Sequence, residues 1–427
     1  MAGTWMQIVA QSWLVLQLSG SATALGVVTS IQTLPVLLLG PYSGLIADRF
    51  DKRKLLIVTQ TASGLLALVL GILTLTHQVT LWQVMVFAAL LGLCNCFTNP
   101  SRSAFTSEMV GPDELRNAVS LNSVLINCAR AVGPAVAGVV IAAGGTGLCF
   151  LVNAASFLAV IFSLATLDVS RLYQPPRTQR APRQVREGLS YVKRTPNLLV
   201  PLVMLAIVGC LAYEFQVVLP VMARDSFGNG AQTYGFMTAA MGAGAVVGGL
   251  YVAAKGQTGL KVMVRSAALF TVVLAIAAVA PTLWLELIAL FLVGAVSVGF
   301  LSQGSSTLQL GAKPTMRGRV VALWIVALQG TTPIGGPIAG VVTEYLGGRS
   351  GLVLAAAACA VAAVIGWLVD RNHVARVFDR DLDESDDAPD TTVPFTPNEA
   401  AVGSPSPTPA APARSTAPPS SRPASSA

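Results

Sequence analysis

The chain is a succession of continuous apolar stretches, each long enough to cross a bilayer, separated by short polar breaks. A hydrocarbon core of ~30 Å takes roughly 20 helical residues to cross. The stretches lack the alternation of a membrane barrel strand, which predicts helices. The composition agrees, because 53% hydrophobic residues, 11% charged residues and a mean hydropathy of +0.67 are too apolar for a soluble domain. The sequence therefore predicts an all-α membrane protein.

Twelve transmembrane helices are predicted, and they fall into two groups of six around a long basic break. Their expected bounds are 4–19, 24–47, 55–76, 81–101, 119–142, 147–167, 197–222, 232–254, 262–281, 283–309, 319–343 and 350–370. The predicted organisation is an N-terminal six-helix bundle with a short first helix, a basic cytoplasmic linker, a C-terminal six-helix bundle and a tail, at 1–167, 168–196, 197–370 and 371–427. The tail is acidic and then rich in Pro, Ser and Ala, which predicts disorder.

A short internal repeat supports the division into two bundles. Gly-Pro-Ala-Val-Ala-Gly-Val-Val at 133–140 returns as Gly-Gly-Pro-Ile-Ala-Gly-Val-Val at 335–342. The same offset superposes the basic break before segment five on the one before segment eleven. Two bundles related by a parallel repeat are typical of a large class of transporters whose substrate path runs between the halves.

The basic residues predict the orientation of the chain. Of the 27 Lys and Arg residues, 24 lie in the breaks after even-numbered segments or in the tail, two lie on the other side, and Arg130 lies within a segment. Lys and Arg accumulate in cytoplasmic loops, so both termini are expected in the cytoplasm. The net charge of +7 then reflects topology and contact with lipid, and no nucleic-acid partner is expected.

One cytoplasmic turn is unusually dense in charge and identifies a family. Six charges occupy the seven positions from Asp48 to Lys54. The pattern Gly44-x-Ile-Ala-Asp48-Arg49-x-Asp-Lys-Arg53 resembles the signature loop between helices two and three of the major facilitator superfamily. The sequence departs from the common pattern at Asp51, where many members have Gly, and the corresponding loop near 248–265 has no acid that matches Asp48.

Four further stretches resemble the branch that contains enterobactin-type siderophore exporters and macrolide efflux proteins. They are Gly-Thr-Trp-Met-Gln at 3–7, Gly-Ser-Ala-Thr-Ala-Leu-Gly at 20–26, Asn-Pro-Ser-Arg at 99–102 and Arg-Ala-Val-Gly-Pro at 130–134. The resemblance covers roughly residues 1–370. It implies a transporter that works by rocking of two bundles.

The charged turn is interpreted as a conformational latch. Its charges can pair with the neighbouring half and with helix ends while the cytoplasmic side is closed. Arg102 and Arg116 on the next cytoplasmic connection are the expected partners by resemblance to the family's charge cluster. The predicted latch residues are Gly44, Asp48, Arg49, Arg53, Arg102 and Arg116. The alternative is that the basic residues only anchor topology, which leaves Asp48 unexplained.

Helix five carries a polar stripe around a basic residue. Ser123, Asn127, Arg130, Pro134 and Gly138 recur at spacings of three and four, and so share one face. An Arg inside a membrane is costly unless it faces a cavity or a partner, which makes Arg130 a functional candidate. The alternative is that Arg130 binds carbonyl groups exposed around Pro134. Gly133, Pro134 and Gly138 resemble a loose version of the antiporter signature of drug exporters.

Helix seven holds the one carboxylate predicted well inside a span, Glu214, next to Tyr213. Glu286, Glu344 and Asp370 lie near segment ends and are expected at the interface. A carboxyl group in a cavity that alternately hydrates can load and release a proton. The alternative is a polar residue at the outer end of a helix kinked near Pro220. Further polar side chains are candidates for the cargo or proton pathway, or for packing between helices: Gln7, Gln11, Gln32, Asn127, Gln303 and Gln329.

Several function classes are excluded. The sequence has no ATP-binding glycine loop and no clustered His, Asp and Ser of a membrane enzyme, so neither an ATPase nor an enzyme is predicted. Cys94 and Cys96 face different directions on a helix and both histidines lie off the midplane, so no metal site and no cofactor are expected.

The predicted function is secondary active export of an amphipathic small molecule, such as a siderophore, macrolide or other secondary metabolite, with proton antiport. The alternatives are a lysophospholipid flippase of the same fold and a non-transporting membrane receptor or scaffold. The expected location is the bacterial inner membrane, with lipid as surroundings and a monomer as the functional unit.

The first apolar run, Trp5 to Leu18, covers only ~21 Å of helix, so Met1 is expected to be an internal start or the first helix incomplete.

Overall fold

The computed structural model describes residues 1–168, 173, 184–228 and 230–386, and these residues are almost entirely helical. The helices are α1 Ala2–Ser19, α2 Ala22–Arg49, α3 Lys52–Leu75, α4 Leu81–Thr166, α5 Gln184–Lys193, α6 Pro196–Leu211, α7 Phe215–Asp225, α8 Ala231–Lys255, α9 Leu260–Val279, α10 Leu283–Gly311, α11 Arg317–Gln329, α12 Thr332–Leu346 and α13 Gly348–Asp386. A short 3-10 helix, Pro314–Met316, precedes α11. The all-helical prediction is confirmed.

Two glycines divide the long α4. Gly111 and Gly145 have φ angles of 70° and 78°, in the left-handed region that glycine adopts without steric cost. The two breaks replace the loops that the sequence predicts on either side of segment five. The chain therefore turns twice within α4 with very few residues spent on connections.

Ten stretches of the described chain are long and apolar enough to cross a membrane. One of them, Val124–Thr166, is 43 residues long and contains the break at Gly145, where the sequence separates segments five and six. The helix α1, with 18 residues, is not among the ten. The membrane-spanning fold is confirmed, and the exact number of twelve spans stays a prediction.

Large apolar side chains on the outer surface agree with a bilayer environment. Trp82, Leu158, Phe162, Val279 and Trp284 are each more than 60% exposed. A soluble monomer rarely exposes so much contiguous apolar surface, whereas lipid covers it at no cost. The interior packs Phe150, Phe270, Phe300 and many Leu and Met side chains.

Two compact units divide the chain, Met1–Arg376 and Val377–Ala427. The first contains all the helices from α1 to α12. The helix α13 continues to Asp386, beyond residue 370 where the sequence places the end of the last bundle. Residues 387–427 of the predicted tail, and most of 169–183 in the predicted linker, lie outside the described residues. The division into two six-helix bundles stays a prediction.

A helix cap explains the acid that stands where many family members have glycine. Asp51 is the N-cap of α3, and its Oδ1 accepts a hydrogen bond from the backbone N–H of Lys54 at 3.1 Å. An Asp at this position satisfies one of the N–H groups that a helix start leaves unpaired. Asp51 therefore fixes the start of α3 directly after the charged turn.

Candidate functional site

The seventh predicted segment is broken where its polar residues lie. α6 ends at Leu211 and α7 begins at Phe215, so that Tyr213 and Glu214 occupy the gap between the two helices. The sequence predicts one segment at 197–222, which lies within a single candidate span, and the structure interrupts its helix at residues 212–214, before the kink near Pro220 that the alternative interpretation expects. A discontinuous membrane helix is a common way to place polar groups at a binding site.

Glu214 lies inside the protein, with only 3% of the residue exposed. Its Oε1 has no hydrogen-bond partner within the described chain. The Thr332 side chain lies beside the carboxyl group, and a Cβ on Gly335 would come within 2.9 Å of Oε1. These residues form the first turn of α12, whose partial positive charge stabilises a negative side chain. The predicted alternative, an acid at the outer end of a helix, does not describe this buried position.

Tyr213 anchors the gap. Its hydroxyl donates a hydrogen bond to the carbonyl of Ser297 on α10 at 2.7 Å, and its ring makes edge contacts with Phe215 and Phe270, each at 6.0 Å between centroids. The hydroxyl also lies within electrostatic range of Arg130. Tyr213 thus links the broken helix to its neighbours and faces the charge on α4.

Arg130 packs against the first helix. Its Cζ lies 5.5 Å from the centroid of the Trp5 ring, which is a cation–π contact. Its Nε is buried and has no hydrogen-bond partner in the described chain. The alternative interpretation requires hydrogen bonds from Arg130 to the carbonyls around Pro134. Within the described chain, no such hydrogen bond is present. The carbonyl of Pro134 instead faces α8, where a Cβ on Gly235 would lie 2.7 Å from it.

The helix-five stripe lies against α8 through small residues. A Cβ on Gly242 would lie 2.6 Å from the carbonyl of Arg130, and one on Gly138 would lie 3.1 Å from Gln232 Cα. Gly133 lies against Trp5, because a Cβ there would come within 2.7 Å of the Trp5 Cβ. These positions therefore require the absence of a side chain, which explains the spacing of the glycines. Asn127 lies on the same helix, one turn before Arg130.

The other polar candidates form separate pairs. Gln11 Nε2 donates to Gln32 Oε1 at 3.1 Å, and Asn153 Nδ2 donates to Gln7 Oε1. Gln303 accepts a hydrogen bond from Ser266 and faces a cavity of about 400 Å³ between α8 and α10. The structure therefore does not bring Gln303 to Glu214. Gln329 is the last residue of α11.

Glu286 is a buried acid near a segment end, as the sequence places it. It lies in the first turn of α10 and is fully buried there, and neither carboxyl oxygen has a partner in the described chain. Arg349 lies within electrostatic range of it. Position near a segment end does not determine exposure, because α10 is covered there by other helices. Glu344, by contrast, is exposed as expected.

At the end where α1 finishes and α2 begins, here called the Gly20 end, Glu344 joins α12 to α2. Its Oε2 accepts hydrogen bonds from Ser21 Oγ at 2.6 Å and from the backbone N–H of Thr23 at 2.7 Å. We call these three residues the Glu344 clamp. Arg224 adds a hydrogen bond to the carbonyl of Gly20 at 3.1 Å. Every one of these contacts joins the first six predicted segments to the last six.

Glycines next to the Glu344 clamp allow the backbones of α2 and α12 to approach each other closely. A Cβ on Gly26 would lie 2.2 Å from the carbonyl of Gly336, and one on Gly340 would lie 2.7 Å from the carbonyl of Ala22. Both distances are shorter than any real Cβ contact, so α2 and α12 could not approach this closely with larger residues. The Gly20 end is therefore tightly closed.

At the opposite end, the predicted latch residues with described side chains contact only the first six segments. Arg53 donates to the carbonyls of Leu164 and Ala165 at 2.6 Å each, and so caps the last turn of α4. Lys52 forms a salt bridge with Glu108 at 2.6 Å. The Arg102 guanidinium lies 3.3 Å from the sulfur of Met1. The structure does not describe the surroundings of five predicted positions: Gly44, Asp48, Arg49, Arg116 and Ser123. The latch therefore stays a prediction.

The site was only partly visible in the sequence. Glu214, Tyr213 and Arg130 stand out there as polar residues inside apolar segments. Trp5, Ser266 and Thr332 do not, because an aromatic or hydroxyl residue in a membrane helix carries no distinctive pattern. The Glu344 clamp joins residues more than 300 positions apart, and no local signal could have identified it.

A family model described as transmembrane secretion effector, within the major facilitator superfamily, matches residues 1–401. The chain belongs to this family. The resemblance that its charged turn and helix-five stretch indicate is confirmed, and its relatives are transporters rather than enzymes.

Three relatives show how far the similarity extends. The MFS-type transporter YfiS of Bacillus subtilis is 29% identical over 57% of this chain and 58% of its own length. The staphyloferrin A transporter of Staphylococcus aureus is 33% identical over 38% of this chain and 41% of its own length. This chain thus matches less than two thirds of each. The multidrug efflux pump Tap of Mycolicibacterium fortuitum is 27% identical over 81% of this chain and 87% of its own length.

Solved structures of the superfamily share the fold. A bacterial homologue of the human lysosomal transporter Spinster matches with a TM-score of 0.67 at 14% identity, over 87% of this chain and 95% of that one. The nucleoside transporter NupG matches with a TM-score of 0.65 at 15% identity, over 86% and 96%. The all-α transporter architecture is thereby confirmed.

Proposed function

We propose that this transporter is a secondary active exporter of an amphipathic small molecule and that proton antiport drives it. The direction and the kind of cargo are supported by two relatives, one named a multidrug efflux pump and the other a staphyloferrin A transporter. The sequence has no ATP-binding loop, which leaves an ion gradient or the cargo's own gradient as the energy source, and we propose the former. We place the chain in the bacterial inner membrane as a monomer with a cytoplasmic C-terminus, following its distribution of Lys and Arg.

The observation that carries the proton-antiport proposal is the environment of Glu214. A carboxyl group that is buried, has an unpartnered oxygen and lies in the gap of a broken helix changes its protonation when the gap hydrates. The first turn of α12 stabilises the ionised form once water enters. Glu214 then binds a proton when the gap is open to one side of the membrane, and it releases the proton when the gap is open to the other side.

Alternating access follows from the closed Gly20 end. The Glu344 clamp and the glycine contacts between α2 and α12 hold the two halves together there. In the predicted orientation this is the outer side. Export requires these contacts to break while contacts form at the cytoplasmic end, so the cargo path between the halves opens to one side at a time.

The test is proton-driven export by a Glu214→Gln variant in proteoliposomes. We expect wild-type protein to concentrate radiolabelled staphyloferrin A or erythromycin against its gradient when a pH gradient is imposed. The variant is expected to lose uphill export by about ten-fold or more, since Gln cannot exchange a proton, and to retain downhill exchange of the same compound.

Glu286→Gln is the matched control, because Glu286 is also buried with carboxyl oxygens that lack a partner but lies in the first turn of α10 rather than in the gap. It is expected to keep pH-driven export. Uphill export by Glu214→Gln with unchanged pH dependence would refute Glu214 as the coupling residue. Failure of the wild-type protein to concentrate either compound would refute the proposed cargo class.

A further inference from the structure

Arg130 is a charge that has no counterion among the described residues. It lies in the candidate span Val124–Thr166, where an isolated charge is expensive. In the described chain it forms no salt bridge, and its Nε is buried without a partner. Its main neighbours are the Trp5 ring and the Tyr213 hydroxyl, and both are neutral.

The two buried carboxyl groups of the described chain, Glu286 and Glu214, have other neighbours. Glu286 lies within electrostatic range of Arg349, whereas Glu214 lies beside Thr332 at the start of α12. The Tyr213 hydroxyl already donates its hydrogen bond to the carbonyl of Ser297. A buried guanidinium in these surroundings has a strong tendency to acquire an anionic partner from outside the protein.

The surroundings of Arg130 are shaped for such a partner. The Trp5 ring covers one side of the guanidinium at 5.5 Å, and Gly133 holds Trp5 in place by close packing, since a Cβ there would lie 2.7 Å from the Trp5 Cβ. A guanidinium held by an aromatic ring still offers its N–H edge to a carboxylate or phosphate as a bidentate pair. The Nε is buried, but the residue as a whole is only partly buried, so part of the side chain remains accessible to a ligand.

We infer that Arg130 and Trp5 form a subsite for an acidic group on the cargo, so that this transporter binds an anionic amphiphile more tightly than its uncharged counterpart. The inference rests on the proposed function only in taking the ligand to be the cargo. Two kinds of ligand carry an acidic group that a guanidinium binds in this way. One is a soluble metabolite with a carboxylate, and the other is a lysophospholipid with a phosphate.

The test is equilibrium binding to the purified full chain in detergent, with no gradient. The probes are dansylglycine, dansylphenylalanine and dansylundecanoic acid, each compared with its own carboxamide, with dansyl fluorescence as the readout. We expect each acid to bind wild-type protein more tightly than its amide, and Arg130→Gln to weaken binding of the acids by about ten-fold while the amides change little. Arg130→Lys is expected to recover part of the loss. Trp5→Leu is expected to weaken the acids more than the amides.

Arg371→Gln is the matched control, because Arg371 also lies 5.5 Å from a tryptophan ring, that of Trp367, but on an exposed surface. It is expected to leave all affinities unchanged. Competition by lysophosphatidylglycerol that depends on Arg130 assigns the acidic group to a lipid, and binding of the dansyl acids without such competition assigns it to a soluble metabolite.

Equal affinities of acid and amide in wild-type protein, an unchanged ratio in Arg130→Gln, or failure of all three acids to bind would overturn the inference. The result is separable from the proposed function. A chain that binds acids through Arg130 but does not export would refute export alone, and a chain that exports without regard to charge would refute the subsite alone.

Discussion

Buried polar groups with unfilled hydrogen-bonding capacity mark the residues of interest in the described chain. Glu214, Glu286, Arg130 and Gln7 all have buried side-chain atoms without a partner. Structural polar groups inside proteins are nearly always paired, because an unpaired one costs about 1–3 kcal/mol. Unpaired groups are tolerated where a proton, a ligand or water completes them during the working cycle.

Tyr213 differs from these groups because its hydroxyl is paired. Tyr213→Phe removes the hydrogen bond that joins the gap before α7 to the Ser297 carbonyl of α10. We expect a loss of about 1–2 kcal/mol in the free energy of unfolding, seen as a lower thermal midpoint of the purified protein in detergent. Tyr251→Phe is the control, since Tyr251 is exposed. Equal midpoints for Tyr213→Phe and wild-type protein would contradict this assignment.

At the scale of helices, small residues decide which pairs of helices approach closely. Gly26, Gly336 and Gly340 allow α2 and α12 to touch, and Gly138, Gly235 and Gly242 do the same for α4 and α8. Association of membrane helices depends on such close packing, since burial of apolar surface contributes little within lipid. In both interfaces, small residues allow a helix of the first six predicted segments to approach the backbone of a helix of the last six.

The Glu344 clamp is expected to set how firmly the Gly20 end is closed. Glu344→Gln keeps an acceptor but removes the charge that strengthens both hydrogen bonds from α2. Spin labels at His77 and Tyr345, both exposed near this end, report the separation by pulsed electron resonance in a background without native cysteines. We expect the variant to add a longer-distance population that wild-type protein lacks.

Glu187→Gln serves as the control for the clamp, because Glu187 pairs with Arg319 at 2.9 Å on the linker helix α5. It is expected to leave the distance distribution at the Gly20 end unchanged. A distribution for Glu344→Gln identical to that of wild-type protein would mean that the glycine contacts alone close this end.

At the scale of the whole molecule, the charged turn after α2 is expected to govern the cycle. Asp48→Asn should sharply reduce export while leaving membrane abundance unchanged, because the basic residues that set topology remain. The measurement is export of the same labelled compounds, normalised to protein in the membrane. Asp51→Asn is the matched control in the same turn, since Asn also caps helices and should preserve the start of α3. Normal export by Asp48→Asn would reduce the turn to a topological anchor.

The sequence by itself determined the properties that depend on local composition. Apolar length predicts membrane helices, the motif at 44–53 predicts the family, and polar residues in apolar segments single out Glu214 and Arg130. These inferences hold because the cost of exposing backbone or charge to lipid acts on each segment separately.

Only the tertiary structure decided which of these residues meet. It breaks the seventh segment at Tyr213 and Glu214, buries Glu286, stacks Trp5 on Arg130 and joins Glu344 to Ser21. Each of these results depends on contacts between helices far apart in the chain. Packing of side chains against backbone determines such contacts, and hydropathy, which treats each segment alone, does not contain that information.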